Sequence, residues 1–141
     1  MASNQYMVDK RMSILVVDDY APMRQTVKKQ LLQLGFDNIS EAAGAGDAMR
    51  KIEAGERFGL IISDWNMPEV TGLDFLNFIR AAQQTKQVPF LMITAEATRE
   101  NVIAAAKAGV SQYIVKPFTA DVLREKLETV FTKLAGRQQM I

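Results

Sequence analysis

Five residues of this chain have the types and positions to do chemistry together. They are Asp18, Asp19, Asp64, Thr94 and Lys116. Each comes at or just after the end of a short apolar run: Ile14–Val17, Leu60–Ser63, Phe90–Ile93 and Tyr113–Val115. Singly, each has an ordinary explanation. Asp18-Asp19 suits the cap of a helix beginning near Pro22. Asp64 suits a turn before Asn66-Met67-Pro68, and Thr94 and Lys116 suit a solvated surface. As a group they are different. Carboxylates crowded at one place raise at least one pKa unless a cation sits among them, so stability alone would disperse them.

The donor types limit that cation. The chain contains no histidine and no cysteine, which leaves carboxylate and carbonyl oxygens and favours Mg²⁺, Mn²⁺ or Ca²⁺. Mg²⁺ takes one or two carboxylates and commonly a phosphate oxygen. Lys116 can meet phosphate as a point charge, and Thr94 can donate to another of its oxygens. The chemistry this set supports is a carboxylate nucleophile receiving a phosphoryl group whose charge is neutralised by metal and lysine. Phosphoryl transfer depends mostly on positioning and charge stabilisation, so a sparse set suffices.

Composition excludes other classes. The 141 residues suit one domain, with 48% hydrophobic and 23% charged residues. A net charge of +1 without a basic run gives no sign of nucleic-acid binding. Without cysteine there is no disulfide, thiolate metal site or thiol catalysis. The first residues, Met1 to Arg11, lack the apolar stretch of a signal peptide, and the apolar runs are too short to span a membrane. A cytoplasmic location is the expectation. No Gly-x-x-x-x-Gly-Lys-Ser/Thr loop is present, and Gly44-Ala45-Gly46 reads as a turn.

The elements that must position the five residues alternate along the chain. Strands are expected at Ile14–Val17, around Ile39, and at Leu60–Ile62, Phe90–Ile93 and Tyr113–Val115. Helical stripes lie between them: Met23, Val27, Leu31 and Leu34 up to Gly35; Ala48, Met49 and Ile52 up to Gly55; Leu73, Leu76 and Ile79 after Gly72. Thr98 is expected to cap a fourth, carrying Val102, Ile103 and Ala106 to Gly109. Thr119 is expected to cap a fifth, with Leu123, Leu127, Val130, Phe131 and Leu134 on one face. Five strand–helix pairs with continuous apolar strands predict a doubly wound α/β fold on a parallel sheet. Ligands of such sheets bind beyond the carboxyl ends of the strands, where the five residues emerge. The domain is expected over 13–135, with an extension at 1–12 and a tail at 136–141.

The strings Leu15-Val16-Val17-Asp18-Asp19, Ile62-Ser63-Asp64-Trp65-Asn66-Met67-Pro68, Met92-Ile93-Thr94-Ala95-Glu96-Ala97 and Tyr113-Ile114-Val115-Lys116-Pro117-Phe118-Thr119 go further. From about Ser13 to Ala135 the chain resembles bacterial two-component receiver domains, and among them the single-domain chemotaxis response regulators. The resemblance implies a flavodoxin-like fold of five strands in order 2-1-3-4-5 with five helices. It implies Asp64 as the phosphoacceptor. Asp19, Asp64 and the Asn66 carbonyl would bind Mg²⁺ directly, with Asp18 acting through water. Lys116 would meet the phosphate beside a cis Lys116-Pro117 bond, and Thr94 and Tyr113 would form a switch pair. The changing surface would include Ala97, Arg99, Val102, Val115, Phe118 and Lys126. The implied donor is the phosphohistidine of a sensor kinase of the CheA type, and the implied target is the flagellar motor switch protein FliM. A phosphatase is a further implied partner, and the chain is expected to act as a monomer. Three places depart from the family pattern: Gly44-Ala45, Thr98-Arg99 in place of paired lysines, and Glu69-Val70-Thr71 beyond Asp64.

Other functions fit less well. A phosphate sink would use the same residues to drain a kinase, without an output. An aspartyl-nucleophile phosphatase needs a general acid two residues after the nucleophile, and Asn66 stands there. A degenerate receiver would not keep the acidic cluster. The chain is therefore expected to be a phosphoacceptor with only self-phosphorylation and autodephosphorylation chemistry, and not an enzyme acting on other substrates. No output domain fits the length, so output is expected through protein contact.

Overall fold

The structure, a computed structural model, describes residues 9–139, with side chains described through Leu134. Five strands alternate with five helices in chain order: β1 (Ile14–Val17), α1 (Ala21–Gln33), β2 (Ile39–Ala42), α2 (Ala45–Glu53), β3 (Leu60–Asp64), α3 (Gly72–Ala81), β4 (Phe90–Thr94), α4 (Arg99–Ala108), β5 (Gln112–Val115) and α5 (Ala120–Gln139). The strands form one sheet in the order β2-β1-β3-β4-β5, and every pairing is parallel. This is the flavodoxin-like doubly wound arrangement.

Strand alternation divides the core into two layers. Ile14, Val16, Leu60, Ile62, Leu91 and Ile93 pack with Val27 and Leu31 of α1 and Leu123, Leu127 and Val130 of α5. Leu15, Val17, Ile61, Phe90 and Met92 point the other way, onto Ala48 and Ile52 of α2 and Phe75, Leu76 and Ile79 of α3. Both faces are covered, which is why these strands read as unbroken apolar runs.

α4 departs from the sequence reading, and α1 removes the capping alternative for the two aspartates. Asp18 and Asp19 do not cap α1. The cap is Tyr20, which makes no side-chain hydrogen bond to the helix. α4 is capped by Thr98 and closed by left-handed Gly109 as expected. However, its Val102–Ile103 edge faces outward, and each of these residues is 42% exposed. The inward stripe is Asn101, Ala104, Ala105 and Ala108 at i, i+3, i+4 and i+7. Small side chains let this helix lie close to its neighbours, so the larger ones turn to solvent.

The chain just before β1 is fastened to the domain. Met12 packs against the α1/α5 layer. Lys10 Nζ donates to the Leu34 carbonyl at 2.8 Å and lies 4.5 Å above the Phe36 ring centroid. α5 runs on to Gln139, so residues 136–139 are helical. The rest of the expected extension and tail, residues 1–8 and 140–141, lies outside the described residues.

The loop from Asp64 to α3 depends on one glycine. Gly72 N–H donates to the Trp65 carbonyl at 2.8 Å, closing the loop back on β3. Thr71 and Asp74 then form a reciprocal capping box. A Cβ at Gly72 would overlap the Asp64 carbonyl oxygen and come within 2.9 Å of Trp65 Cα and Met92 Sδ. The obstructing atoms are mostly backbone and cannot swing aside. Gly72→Ala should therefore cost about 2 kcal/mol of stability by denaturant unfolding. Adding Met92→Ala should not restore it.

Candidate functional site

Sheet register brings the chemical residues together. Val17 pairs with Ser63, so Asp18 and Asp64 leave adjacent strands side by side. Asp64 pairs with Ile93, and Thr94 pairs with Val115. From β3 through β4 to β5, each strand thus carries its chemical residue one step further. The Lys116 amide donates to the Thr94 carbonyl at 2.8 Å and the Trp65 amide to the Ile93 carbonyl at 2.8 Å, which fixes this staircase.

Asp18, Asp19 and Asp64 each offer a carboxylate oxygen within 4.8 Å of the others. Asp18 and Asp64 are buried, while Asp19 is exposed at the mouth. Lys116 Nζ lies 2.7 Å from Asp64 Oδ1. That oxygen is buried and makes no directed hydrogen bond among the described residues. The ammonium therefore meets it as a charge, with poor alignment. Among the described residues, Lys116 is the cation that ion-pairs with this group of three carboxylates, through Asp64.

The imbalance shows in Asp18. Its pKa is raised from 3.8 to about 6, first by burial and then by the charges of Asp64 and Asp19. The Tyr20 amide, which donates to Asp18 Oδ1 at 3.0 Å, and the Lys116 charge pull it back. A hard divalent cation would resolve this electrostatics. The donors are all oxygen, one of them is a buried oxygen without a directed partner, and they lie close enough to share an ion.

The remaining expected residues are spread around this centre. Thr94 is buried, and its hydroxyl donates to the Glu96 carbonyl at 3.0 Å and accepts from the Glu96 amide at 3.2 Å. Asn66 is exposed at the rim, two residues past Asp64. Tyr113 pairs with Met92 across the sheet and is half-buried against the α2/α3 layer. Its hydroxyl is buried without a hydrogen-bond partner among the described residues. Ala97, Arg99, Val102 and Val115 are exposed, and Lys126 is half-buried. Phe118 is half-buried. It packs against the α1/α5 core, so only part of it reaches the surface. The Lys116-Pro117 bond is cis.

The sequence reading missed Arg24. Its Nη1 donates to the Asp18 carbonyl at 2.7 Å, and its Nε pairs with Glu41 at 3.2 Å. A basic residue in the opening turns of a helix, where acids are favoured, is the signal that could have found it.

Residues 14–128 match the family model of the response regulator receiver domain, and the chain belongs to that family. It is a receiver domain, and the family's work is phosphoryl-accepting signalling in two-component systems. Among its relatives is the chemotaxis protein CheY-3 of Vibrio cholerae, 50% identical over 127 residues, covering 90% of this chain and 97% of that protein. A solved structure of the V. cholerae chemotaxis protein CheY4 superposes with a TM-score of 0.78 at 35% identity, covering 85% of this chain and 98% of that one. The receiver domain of the sensor histidine kinase PA1611 from Pseudomonas aeruginosa, solved with a magnesium ion coordinated in its active site cleft, superposes with a TM-score of 0.77 at 26% identity, covering 86% of this chain and 98% of that one. No helix among the described residues is long and apolar enough to cross a membrane.

Asp18 gives a pH-dependent prediction. Its native pKa lies above the unfolded value, so it holds a proton in the folded state that the unfolded chain releases. Stability therefore falls as pH rises from about 3.8 to about 6, and the penalty persists above that. Asp18→Asn keeps an acceptor for the Tyr20 amide and removes the charge. In chelator at pH 7.5 it should be more stable than the parent, by on the order of 1 kcal/mol after solvent screening. The gain should shrink as pH drops towards 4. Denaturant midpoints across pH measure it, and an equal gain at pH 4 and 7.5 would contradict the assignment.

Proposed function

We propose that this chain is a phosphorylation switch in which Asp64 accepts a phosphoryl group and the resulting change of surface selects a partner. The observation that carries this reading is the buried Asp64 oxygen. It faces the Lys116 ammonium at 2.7 Å, beside two further carboxylates, at the mouth of a parallel sheet.

Asp64 is the nucleophile. Its carboxylate oxygen attacks the phosphorus of a kinase phosphohistidine. A phosphorus–oxygen bond forms as the phosphorus–nitrogen bond breaks, and the leaving imidazole takes back the electron pair and then a proton. Water later attacks the acyl phosphate, releasing inorganic phosphate and restoring the carboxylate. Asp19, Asp64 and the Asn66 carbonyl, assisted by Asp18, would hold Mg²⁺, which would offset the negative charge of the phosphoryl group against the three carboxylates. Lys116 leaves its contact with Asp64 Oδ1 to pair with a phosphate oxygen. Thr94 gives up its bond to the Glu96 carbonyl and donates to the phosphate. The half-buried Tyr113 ring follows this movement, altering the face that carries Ala97, Arg99, Val102, Val115 and Lys126, with Phe118 at its edge. The chemistry stops at the chain's own phosphorylation and dephosphorylation.

The likeness to chemotaxis proteins supports a kinase of the CheA type as donor and a motor switch protein of the FliM type as target. Exposed apolar Val102 and Val115, with exposed basic Arg99, suit an amphipathic peptide with acidic character. The switch works only if phosphorylation favours one surface state over the other. A small acyl-phosphate donor should add one phosphoryl group to the parent by intact mass in Mg²⁺, and none in chelator. Asp64→Asn should stay unlabelled. Labelled parent should bind purified motor switch protein more tightly than unlabelled parent. Labelling of Asp64→Asn would overturn the acceptor assignment, and equal binding would overturn the target.

A further inference from the structure

A second charged group lies behind the pocket, on α1 and β2. Arg24 Nη1 donates to the Asp18 carbonyl at 2.7 Å, and its Nε donates to Glu41 Oε1 at 3.2 Å. Both side chains are largely shielded, at 17% and 25% exposed. Glu41 also accepts from Gln25 Nε2 at 2.9 Å and pairs with Lys28 Nζ at 3.5 Å. It is held on β2 opposite Val16, two residues before Asp18 on the neighbouring strand. The Asp18 amide donates to the Ala42 carbonyl at 3.2 Å, and Asp18 Oδ1 accepts from the Tyr20 amide at 3.0 Å. The Asp18 peptide is thus fixed at its nitrogen, its carbonyl and its side chain.

Helix stability does not call for Arg24. The first turn of α1 carries no acidic residue and no side-chain cap, and a cation close behind it opposes the helix dipole. What the guanidinium offers is a planar fork that meets two acceptors at once. Hydrogen bonds from a charged donor are roughly twice as strong as neutral ones. One arm is anchored on a carboxylate of the sheet, and the other holds the peptide that joins Asp18 to Asp19.

We propose that Arg24 is a positioning residue of the cation pocket, holding the Asp18–Asp19 peptide so that both carboxylates converge on Asp64, with Glu41 as its anchor. This rests on the reading that the pocket takes Mg²⁺. The sign of the effect separates positioning from simple charge. As a nearby positive charge, Arg24 would repel the metal, and its removal would tighten binding. As a positioning residue it aids the metal, and its removal weakens binding. Lys28 shares the Glu41 contact without the bond to Asp18, and so serves as the control.

The test is calorimetric titration of Mg²⁺ into the full chain for the parent, Arg24→Ala, Arg24→Lys and Lys28→Ala, with melting in chelator alongside. Arg24→Ala should bind Mg²⁺ roughly tenfold more weakly, the usual scale for removing a group that orients a metal ligand. Arg24→Lys should recover part of the loss, and Lys28→Ala should show none. Unchanged or tighter binding by Arg24→Ala overturns the proposal, as does an equal loss in Lys28→Ala. A lower melting point with unchanged Mg²⁺ affinity makes Arg24 purely structural and overturns it too. If Arg24→Ala does not fold, Arg24→Lys and Glu41→Gln replace it, and parental affinity in both overturns the proposal. A parent that binds no Mg²⁺ removes the reading of the pocket and this inference with it.

Discussion

Asp18, Asp19 and Asp64 crowd around the ammonium of Lys116, and the scaffold is built to hold them there. Like charges at this separation repel, and burial makes each ionised carboxylate more costly. Asp18 expresses the conflict as a pKa near 6. The backbone must hold these groups together against that repulsion. It does so with a sheet whose central strands are buried on both faces and locked in register. The Gly72 approach to β3 and the Arg24 hold on the Asp18 carbonyl belong to the same task. The site is thus pre-formed, and a charge on an incoming group or ion can be met without rebuilding the scaffold.

Much of this was legible in the residues because the chemistry follows strand phase. Parallel strands covered on both sides produce unbroken apolar runs, and the residue after each run emerges at the carboxyl edge. Asp18, Asp64, Thr94 and Lys116 were placed that way, and register then brought them together. β2 was the weak strand because it is an edge strand. Ile39, Ser40 and Glu41 are only partly buried, so its pattern is mixed. The switch role proposed for Tyr113 came from family resemblance, since one tyrosine in a strand carries no distinctive pattern.

Other features were hidden for physical reasons. α4 turns an alanine stripe inward, and alanines give little hydrophobic signal beside Val102 and Ile103. The larger residues looked like the core face and are solvent-facing instead. Arg24 and Glu41 are 17 positions apart on different elements, and no local periodicity links them. Lys10 and Phe36 are similarly distant in sequence, so the fastening of the chain before β1 was not visible. In each case the missing information was a tertiary contact.

The acidic pocket is strained by its own charge, and a divalent cation would complete it. Metal binding must then appear as folding stability, because only the native chain brings the three carboxylates together. The direct measurement is the unfolding free energy of the full chain across Mg²⁺ concentrations at neutral pH, with ionic strength held constant by sodium chloride. Stability should rise once Mg²⁺ exceeds its dissociation constant, by about 1.4 kcal/mol for each further tenfold increase. A flat response across that range would contradict the account, because the native cluster would then have no more use for the ion than the unfolded chain does.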